Sequence, residues 1–354
     1  MKIRVLVAED SLTVRKRLVD VISTSPDIEV IGEAEDGKKA IELCKSLAPD
    51  VVTLDMVMPG MSGLAATEYI MAYCPTPILV VSSSENRGEL FKTYDALSAG
   101  ALDVLEKPTG LEAEGVWETA LLSAIRTASK VRVITHPRAK LGTRVRPAPG
   151  PAPARPRQSC RLIAMGASTG GPGAMMKILR GLPPRFPLPI LLVIHIGRQF
   201  ASSLAEWLGS LSAIPVSYAA DGDPLPAPGQ TGVILAPPDR HLVVRQGRLR
   251  LTSDPERHSC RPSVDALFES VARELGPSAG GCLLTGMGRD GARGLLDIRS
   301  GGGPTIVQDE ATSVVFGMPQ EAIGLGAADR VLALDRIEPA LAEWAAGASS
   351  EGRA

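Results

Sequence analysis

The sequence has little that would mark a secreted, membrane-embedded or nucleic-acid-binding protein. Its five cysteines are scattered and include no C-x-x-C pair, which disfavours a disulfide framework, a zinc knuckle or a redox couple. No apolar run approaches the roughly 18 residues that span a bilayer, and no signal segment opens the chain. The formal net charge of -1 gives no general attraction to nucleic acid. We therefore expect a cytoplasmic protein without direct membrane insertion or a nucleic-acid partner.

The apolar pattern divides the chain into two α/β domains. A chain of 354 residues, 44% of them hydrophobic, suggests about two cores. Short apolar runs alternate with helix-period segments in both halves, which predicts βαβ units around a doubly wound parallel sheet in each. We expect domains at 1–128 and 160–346, joined by a Pro- and Arg-rich linker at 129–159 and followed by a flexible tail at 347–354.

Local patterns in the second series give the element boundaries more finely. Strands are predicted at 161–166, 190–195, 232–236, 241–244, 281–285 and 305–307. Helices are predicted at 201–208, 264–274 and 292–299, besides one that begins near Gly171. In the first series the last helix is predicted at 111–128.

Charged residues follow several strands of the first domain. Glu9 and Asp10 end the first strand, Asp55 ends the third and Lys107 follows the fifth. Because ligands bind at the carboxyl ends of strands in such sheets, these groups should converge. Carboxylates this close favour Mg²⁺, and Lys107 together with the Ser82 hydroxyl could hold a phosphoryl group on Asp55. The competing interpretation is that the charges only decorate loop ends. Suitable groups follow four separate strands, with Ser82 after the fourth, and this makes a coincidence less favourable.

These residues resemble the response-regulator receiver family over essentially the whole first domain. The resemblance includes the segments Asp55-Met-Val-Met-Pro-Gly-Met-Ser-Gly63 and Ala99-Gly-Ala101. It implies a flavodoxin-like fold, phosphotransfer from a histidine kinase to Asp55, and Mg²⁺ held by Glu9, Asp10, Asp55 and the Val57 carbonyl. Ser82 is the predicted switch hydroxyl, although the Ser82-Ser83-Ser84 run leaves its register open. Val57 stands where other receivers often carry a polar side chain.

The second domain opens on a candidate nucleophile. The segment Gly166-Ala-Ser-Thr-Gly170 fits G-x-S-x-G between an apolar strand and a helix. A tight turn of small residues can hold the Ser168 oxygen beside helix N–H groups that favour developing negative charge. A Gly-rich phosphate cradle is the alternative, but the spacing matches neither G-x-G-x-x-G nor the P-loop pattern.

A serine nucleophile needs a base and an orienting carboxylate. Of the four histidines, His136 lies in the linker, while His241 and His258 sit in or near loops without clear catalytic context. His195 ends a strongly apolar strand and is therefore the predicted base. Asp290 follows another apolar strand and could orient the imidazole. The order Ser, His, Asp differs from that of α/β-hydrolases, so the motif alone does not assign that fold.

The second domain is similar to the catalytic domain of chemotaxis response-regulator protein-glutamate methylesterases, the CheB family, from about residue 160 to 345. The resemblance rests on five segments, namely Gly166–Pro172, Ala236–Leu242, Arg261–Phe268, Thr285–Ala292 and Gly317–Pro319. It implies a Ser168, His195 and Asp290 triad, with Thr169 and Met287 as oxyanion-site residues. It further implies phosphorylation-activated hydrolysis of methyl-glutamate on chemoreceptor cytoplasmic domains, often with deamidation of receptor glutamines, and no cofactor for hydrolysis.

One segment departs from that family, and two other classes of function stay open. His195 is followed by Ile196-Gly197-Arg198, where the family commonly has Met-Pro, and this changes the backbone beside the base. The second domain could instead be a non-catalytic partner- or nucleotide-binding output of the receiver. A DNA-binding output is disfavoured because the chain shows no basic recognition helix.

Overall fold

The computed structural model describes residues 2–83, 87–108, 115–131 and 160–351. Beyond residue 131, the predicted linker lies outside the described residues, as does His136. Within the described part of the chain, no helix has the length and apolar character needed to cross a bilayer.

The first domain is a five-stranded parallel sheet with the order β2-β1-β3-β4-β5. All four residues of the central strand β3 are buried, as expected for a strand covered by helices on both faces. Side chains cap three of the helices, since Ser11, Asp36 and Ser62 each accept a hydrogen bond from the first turn. The elements are β1 Ile3–Ala8, α1 Leu12–Ser23, β2 Ile28–Ala34, α2 Gly37–Leu47, β3 Val51–Leu54, α3 Gly63–Tyr73, β4 Ile78–Ser82, α4 Arg87–Ala99, β5 Asp103–Glu106 and α5 Val116–Ala128.

The second domain is a seven-stranded parallel sheet with the order β14-β13-β12-β6-β7-β9-β8, and β10 pairs with β11 in a separate antiparallel ribbon. Strands β6, β7 and β12 lie side by side near its centre, and their carboxyl ends lead into the three segments that carry the predicted triad. The elements are β6 Leu162–Ala167, α6 Gly171–Gly181, β7 Ile190–Ile194, α7 Arg198–Ala201, α8 Leu204–Leu211, β8 Val216–Tyr218, β9 Val233–Leu235, β10 His241–Arg245, β11 Arg248–Thr252, α9 Val264–Leu275, β12 Ala279–Leu283, α10 Ala292–Ser300, β13 Thr305–Gln308, α11 Met318–Gly324, β14 Arg330–Leu332 and α12 Leu334–Glu351.

The α/β class and the parallel sheets confirm the expectation from the sequence, whereas several boundaries differ. The helix predicted at 201–208 is two helices, α7 and α8, separated at Ser202–Ser203. Helix α5 begins at Val116, and residues 111–114 of its predicted span lie outside the described residues. Three strands, β8, β11 and β14, and two helices, α11 and α12, were not predicted. Helix α12 continues to Glu351, inside the segment assigned to a tail.

Helix α4 of the first domain packs against α6 and α8 of the second. The Tyr94 ring lies 5.3 Å from the Trp207 ring, and its hydroxyl donates to the Phe200 carbonyl. The Trp207 indole donates to Asp95 over 3.0 Å. This contact places the start of β5, the strand after α4, beside the carboxyl ends of β6 and β7.

Candidate active site

Ser168 occupies a sharp turn between β6 and α6. Its backbone N–H donates to the Thr285 carbonyl over 3.0 Å, and its carbonyl accepts from the Gly171 N–H over 2.7 Å. Gly170 adopts φ +78°, a conformation that favours glycine, and a Cβ there would lie 2.6 Å from Val314. The strand-to-helix turn therefore depends on glycine two residues after the candidate nucleophile.

A second glycine lets two loops approach at this turn. A Cβ on Gly286 would lie 2.8 Å from the Ser168 Cβ and 2.3 Å from the Met318 sulfur. The segment after β12 therefore passes directly beside Ser168. The Thr285–Ala292 segment and the serine motif, although distant in sequence, therefore form one site.

His195 and Asp290 form the pair that the sequence predicts. The His195 Nε2 atom lies 3.0 Å from Asp290 Oδ2, at the ends of β7 and of the loop after β12. Because Nε2 faces a carboxylate, it carries the proton, and Nδ1 is the nitrogen left to accept one. Among the described residues the Ser168 hydroxyl makes no hydrogen bond, so this arrangement brings nucleophile and base into one site before their contact forms.

The N-terminus of α9 holds Asp290 in place. Asp290 is 2% exposed, and its Oδ1 accepts from the Ser263 hydroxyl over 2.7 Å and from the Asp265 N–H over 3.0 Å. Its Oδ2 accepts from the Val264 N–H over 2.7 Å as well as from His195. Burial alone would raise the pKa of Asp290, but His195 and these donors hold it below its ordinary value. The carboxylate therefore stays ionised.

That ionised partner changes the titration of His195. Burial opposes the charged imidazole, but Asp290 and Cys260 outweigh it and raise the pKa of His195 to about 9. Cys260 Sγ lies 3.7 Å from His195 Nδ1, on the side of the ring opposite Asp290. The base is thus predominantly protonated near neutral pH in this arrangement.

One cavity of about 370 Å³ contains most of the predicted site. Ser168, Thr169 and His195 line it, together with the departing segment Ile196–Gly197 and with residues 259–262. Asp103 and Val104 of the first domain complete the wall. Asp103 is exposed at the edge of the cavity. The neighbouring protein still removes part of the water around its carboxylate, and this desolvation raises the pKa of Asp103 to about 6. Met287 is not among the lining residues, and its side chain is 49% exposed.

Two histidines without apparent catalytic context belong to the network behind the triad. His241 is buried, accepts a hydrogen bond from the Ser263 N–H over 3.1 Å, and donates to the Pro255 carbonyl over 3.2 Å. His258 Nε2 bonds to Asp265 over 3.1 Å. The sequence reasoning also missed Ser263 and Cys260. The Arg261–Phe268 segment was the available signal, since it supplies the donors to Asp290.

In the first domain, Lys107 bridges two of the predicted acids. Its Nζ lies 2.9 Å from Glu9 Oε2 and 2.9 Å from Asp55 Oδ2. Burial, followed by the charge of Asp55, raises the pKa of Glu9 to about 7, although Lys107 opposes the shift. Burial also raises the pKa of Asp55. Two buried carboxylates facing one lysine therefore lack full charge compensation.

The donor set fits a hard divalent cation. Glu9, Asp10 and Asp55 each offer an oxygen within 4.8 Å of the others. Apart from their ion pairs with Lys107, Glu9 Oε2 and Asp55 Oδ2 are buried without a hydrogen-bond partner in the described part of the chain. Mg²⁺ prefers such carboxylate oxygens. Asp10 is exposed and Val57 is 44% exposed, so the cation would lie at the open edge of the sheet.

The arrangement of the serine run favours the predicted switch hydroxyl. Ser82 ends β4, is fully buried, and its hydroxyl has no partner among the described residues. Ser83 instead donates to Glu89, and Ser84 lies outside the described residues. Ser82 is thus the hydroxyl free to meet a new acceptor.

Comparison with known proteins decides between the open functional classes. The profile described as CheB methylesterase matches residues 163–341, and the profile described as response regulator receiver domain matches residues 5–113. The chain belongs to the CheB methylesterase family. The first match contains Ser168, His195 and Asp290. The domain that follows the receiver is therefore a methylesterase domain. The alternative of a non-catalytic partner- or nucleotide-binding domain is left without support.

Individual CheB relatives extend over nearly the whole chain. The protein-glutamate methylesterase/protein-glutamine glutaminase 2 of Anaeromyxobacter dehalogenans is 47% identical over 341 residues, which is 96% of each chain. Number 4 of Myxococcus xanthus is 41% identical over 338 residues, 94% of each chain. Among solved structures, the Thermotoga maritima CheB methylesterase catalytic domain is 37% identical, with a TM-score of 0.49, and covers 52% of this chain and 99% of its own.

Proposed function

We propose that this chain hydrolyses methyl esters on glutamate side chains of methylated chemoreceptor cytoplasmic domains, in the cytoplasm, under control of its receiver domain. The observation that carries the proposal is the His195 and Asp290 pair, 3.0 Å apart, in one cavity with Ser168. The 47% identity to a protein-glutamate methylesterase over 96% of the chain supports the substrate class.

The geometry supports an acyl-enzyme mechanism. His195 Nδ1 accepts the Ser168 proton as Ser168 attacks the ester carbonyl, and Asp290 stabilises the resulting imidazolium through Nε2. Methanol leaves with that proton, and water activated by His195 then hydrolyses the glutamyl ester. Deamidation of a glutamine would follow the same route with ammonia as the leaving group.

The oxyanion requires donors that no other group has taken. The backbone N–H groups of Thr169 and Met287 donate to no acceptor in the part of the chain that the structure describes. Thr169 lines the cavity, and Met287 follows Gly286, whose backbone lies beside Ser168. We assign these two amides to the oxyanion, where loss of one donor typically costs about 10²–10³ in rate.

In the receiver, Asp55 is the proposed acceptor of a phosphoryl group from a histidine kinase of a chemotaxis-type pathway. Glu9, Asp10, Asp55 and the Val57 carbonyl would hold Mg²⁺, which neutralises phosphoryl charge. Lys107 already contacts Asp55 and would contact its phosphoryl oxygens, while the buried Ser82 hydroxyl would donate to them.

The packing of the two domains supplies the controlled step. Asp103 and Val104 form part of the wall of the cavity that contains Ser168, so the receiver occupies space next to the nucleophile. Phosphorylation adds about -1.5 to -2 charge at Asp55. The phosphoryl group would accept a hydrogen bond from Ser82, which ends the strand preceding α4. We propose that this shifts α4 away from α6 and α8 and opens the cavity.

The test is methanol release from methylated receptor fragments, with and without a small phosphodonor. Ser168→Ala should abolish release, whereas Ser300→Ala, an exposed serine of the same domain, should leave it intact. Asp55→Ala should retain basal release and lose stimulation by the phosphodonor. Full methanol release by Ser168→Ala would overturn the assignment of Ser168 as the nucleophile. Stimulation of Asp55→Ala by the phosphodonor would overturn the assignment of Asp55 as the phosphorylation site.

A further inference from the structure

A thiol and an imidazole nitrogen face each other inside the catalytic cavity. Cys260 Sγ lies 3.7 Å from His195 Nδ1, and both residues line the space that contains Ser168. The mechanism above uses His195 but gives Cys260 no role. The remaining partly exposed cysteine, Cys74, lies in the first domain, and the other three are buried.

The backbone holds Cys260 in this position. Its N–H donates to the Arg257 carbonyl over 2.9 Å, and its carbonyl accepts from the Arg257 N–H over 3.1 Å. The two residues before it, His258 and Ser259, adopt φ of 52° and 60°, which turns the chain sharply. The thiol is therefore presented to His195 by a tight, doubly hydrogen-bonded loop.

The separation matches the bite of a tetrahedral metal ion. Zinc binds thiolate sulfur at about 2.3 Å and imidazole nitrogen at about 2.0–2.1 Å, so a tetrahedral angle separates the two ligand atoms by about 3.5 Å. The observed distance of 3.7 Å needs little adjustment. A cavity of about 370 Å³ leaves room for water or the Ser168 oxygen at the remaining positions.

Asp290 completes the arrangement from behind the ring. Ligating histidines commonly donate their other N–H to a carboxylate, which fixes the tautomer and strengthens the nitrogen that binds the metal. His195 Nε2 makes this contact to Asp290 over 3.0 Å. The oxygens of Asp290 are already engaged by Ser263 and two α9 amides, so Asp290 orients the ring and is not counted as a ligand.

We propose that Cys260 and His195 bind Zn²⁺ in the catalytic cavity and that the bound ion stops hydrolysis. Binding releases the thiol proton and, near neutral pH, the Nδ1 proton of the imidazolium to solvent. It commits the Nδ1 lone pair to the metal, so His195 can no longer accept the Ser168 proton. Sulfur and nitrogen ligands favour Zn²⁺, whereas the all-oxygen set of the receiver suits Mg²⁺. The inhibitory consequence rests on the proposed function, and the binding itself does not.

Inhibition is tested on the full chain by titrating Zn²⁺ into the methanol-release assay. We expect wild type to be inhibited, EDTA to restore activity, and Cys260→Ala to need at least about tenfold more Zn²⁺ because one of two protein ligands is lost. Cys74→Ala, the other partly exposed cysteine, should behave as wild type. Equal sensitivity of wild type and Cys260→Ala would overturn the site.

Binding is tested separately with Co²⁺ on Ser168→Ala, which has no hydrolytic activity to monitor. A thiolate-to-cobalt absorption band in the near ultraviolet should form. The band should be absent from the double variant that also carries Cys260→Ala and present in the one that also carries Cys74→Ala. The receiver acids cannot give this band because they offer only oxygen. Absence of the band overturns metal binding even if Ser168 proves catalytic. A band without inhibition by Zn²⁺ refutes the inhibitory role.

Discussion

The titration of His195 gives a quantitative prediction for the pH dependence of hydrolysis. Asp290 and Cys260 raise its pKa to about 9 despite burial. Two units below that value, about 1% of the rings are neutral, and only a neutral ring accepts the Ser168 proton. From pH 7 to pH 9 we therefore expect kcat/KM to rise by about 50-fold and then to level off.

The assay is basal methanol release without a phosphodonor and with a chelator present, from neutral to alkaline pH. Omitting phosphorylation keeps the titration of Glu9, whose pKa is about 7, out of the observed rate. Asp103 has a pKa of about 6 and is largely ionised over this range, so the rising limb reports His195.

A variant separates the two causes of the shift. Cys260→Ala removes one of the groups that raise the pKa of His195, so the rising limb should move to lower pH and basal activity near neutrality should increase. A wild-type limb centred near the ordinary imidazole value of about 6.5 would refute the reasoning. A limb that stays in place in Cys260→Ala would leave Asp290 as the sole cause.

Two further substitutions probe the orienting carboxylate and the domain contact. Asp290→Asn places an amide donor against His195 Nε2, which forces the proton onto Nδ1, and should lower kcat by about 10⁴-fold while circular dichroism shows the fold retained. Asp95→Ala removes the acceptor of the Trp207 indole, a bond worth about 1.5–3 kcal/mol. It should therefore raise basal activity by about tenfold or more, with Asp20→Ala as the surface control. Unchanged kcat in the first variant, or unchanged basal activity in the second, would contradict these assignments.

The sequence predicts groups that sit at strand ends better than groups that reach a site from elsewhere. Ser168, His195 and Asp290 each follow an apolar strand, and parallel strands necessarily bring their carboxyl ends to one edge. Ser263 and Cys260 lie around a helix start and a loop, and nothing in their local periodicity indicates that they face Asp290 and His195.

Some of the missed elements and contacts have a similar explanation. Of the unpredicted strands, β8 and β14 have three residues each, too few to show an alternating pattern. The contact of α4 with α6 and α8 depends on long-range packing of Tyr94 and Trp207, both of which would be equally at home in a single-domain core. Which nitrogen of His195 faces Asp290 likewise requires the folded geometry.

Asp103 and Val104 form part of the cavity wall, and this has a thermodynamic consequence that runs from the receptor back to the receiver. If a receptor segment and the receiver compete for one volume, the receptor favours the same separated state that phosphorylation favours. Coupling between two binding equilibria is reciprocal. The methylated receptor then acts as an effector of Asp55, and its fragments should make the phosphorylated form of the receiver easier to reach, in proportion to how strongly phosphorylation promotes their binding.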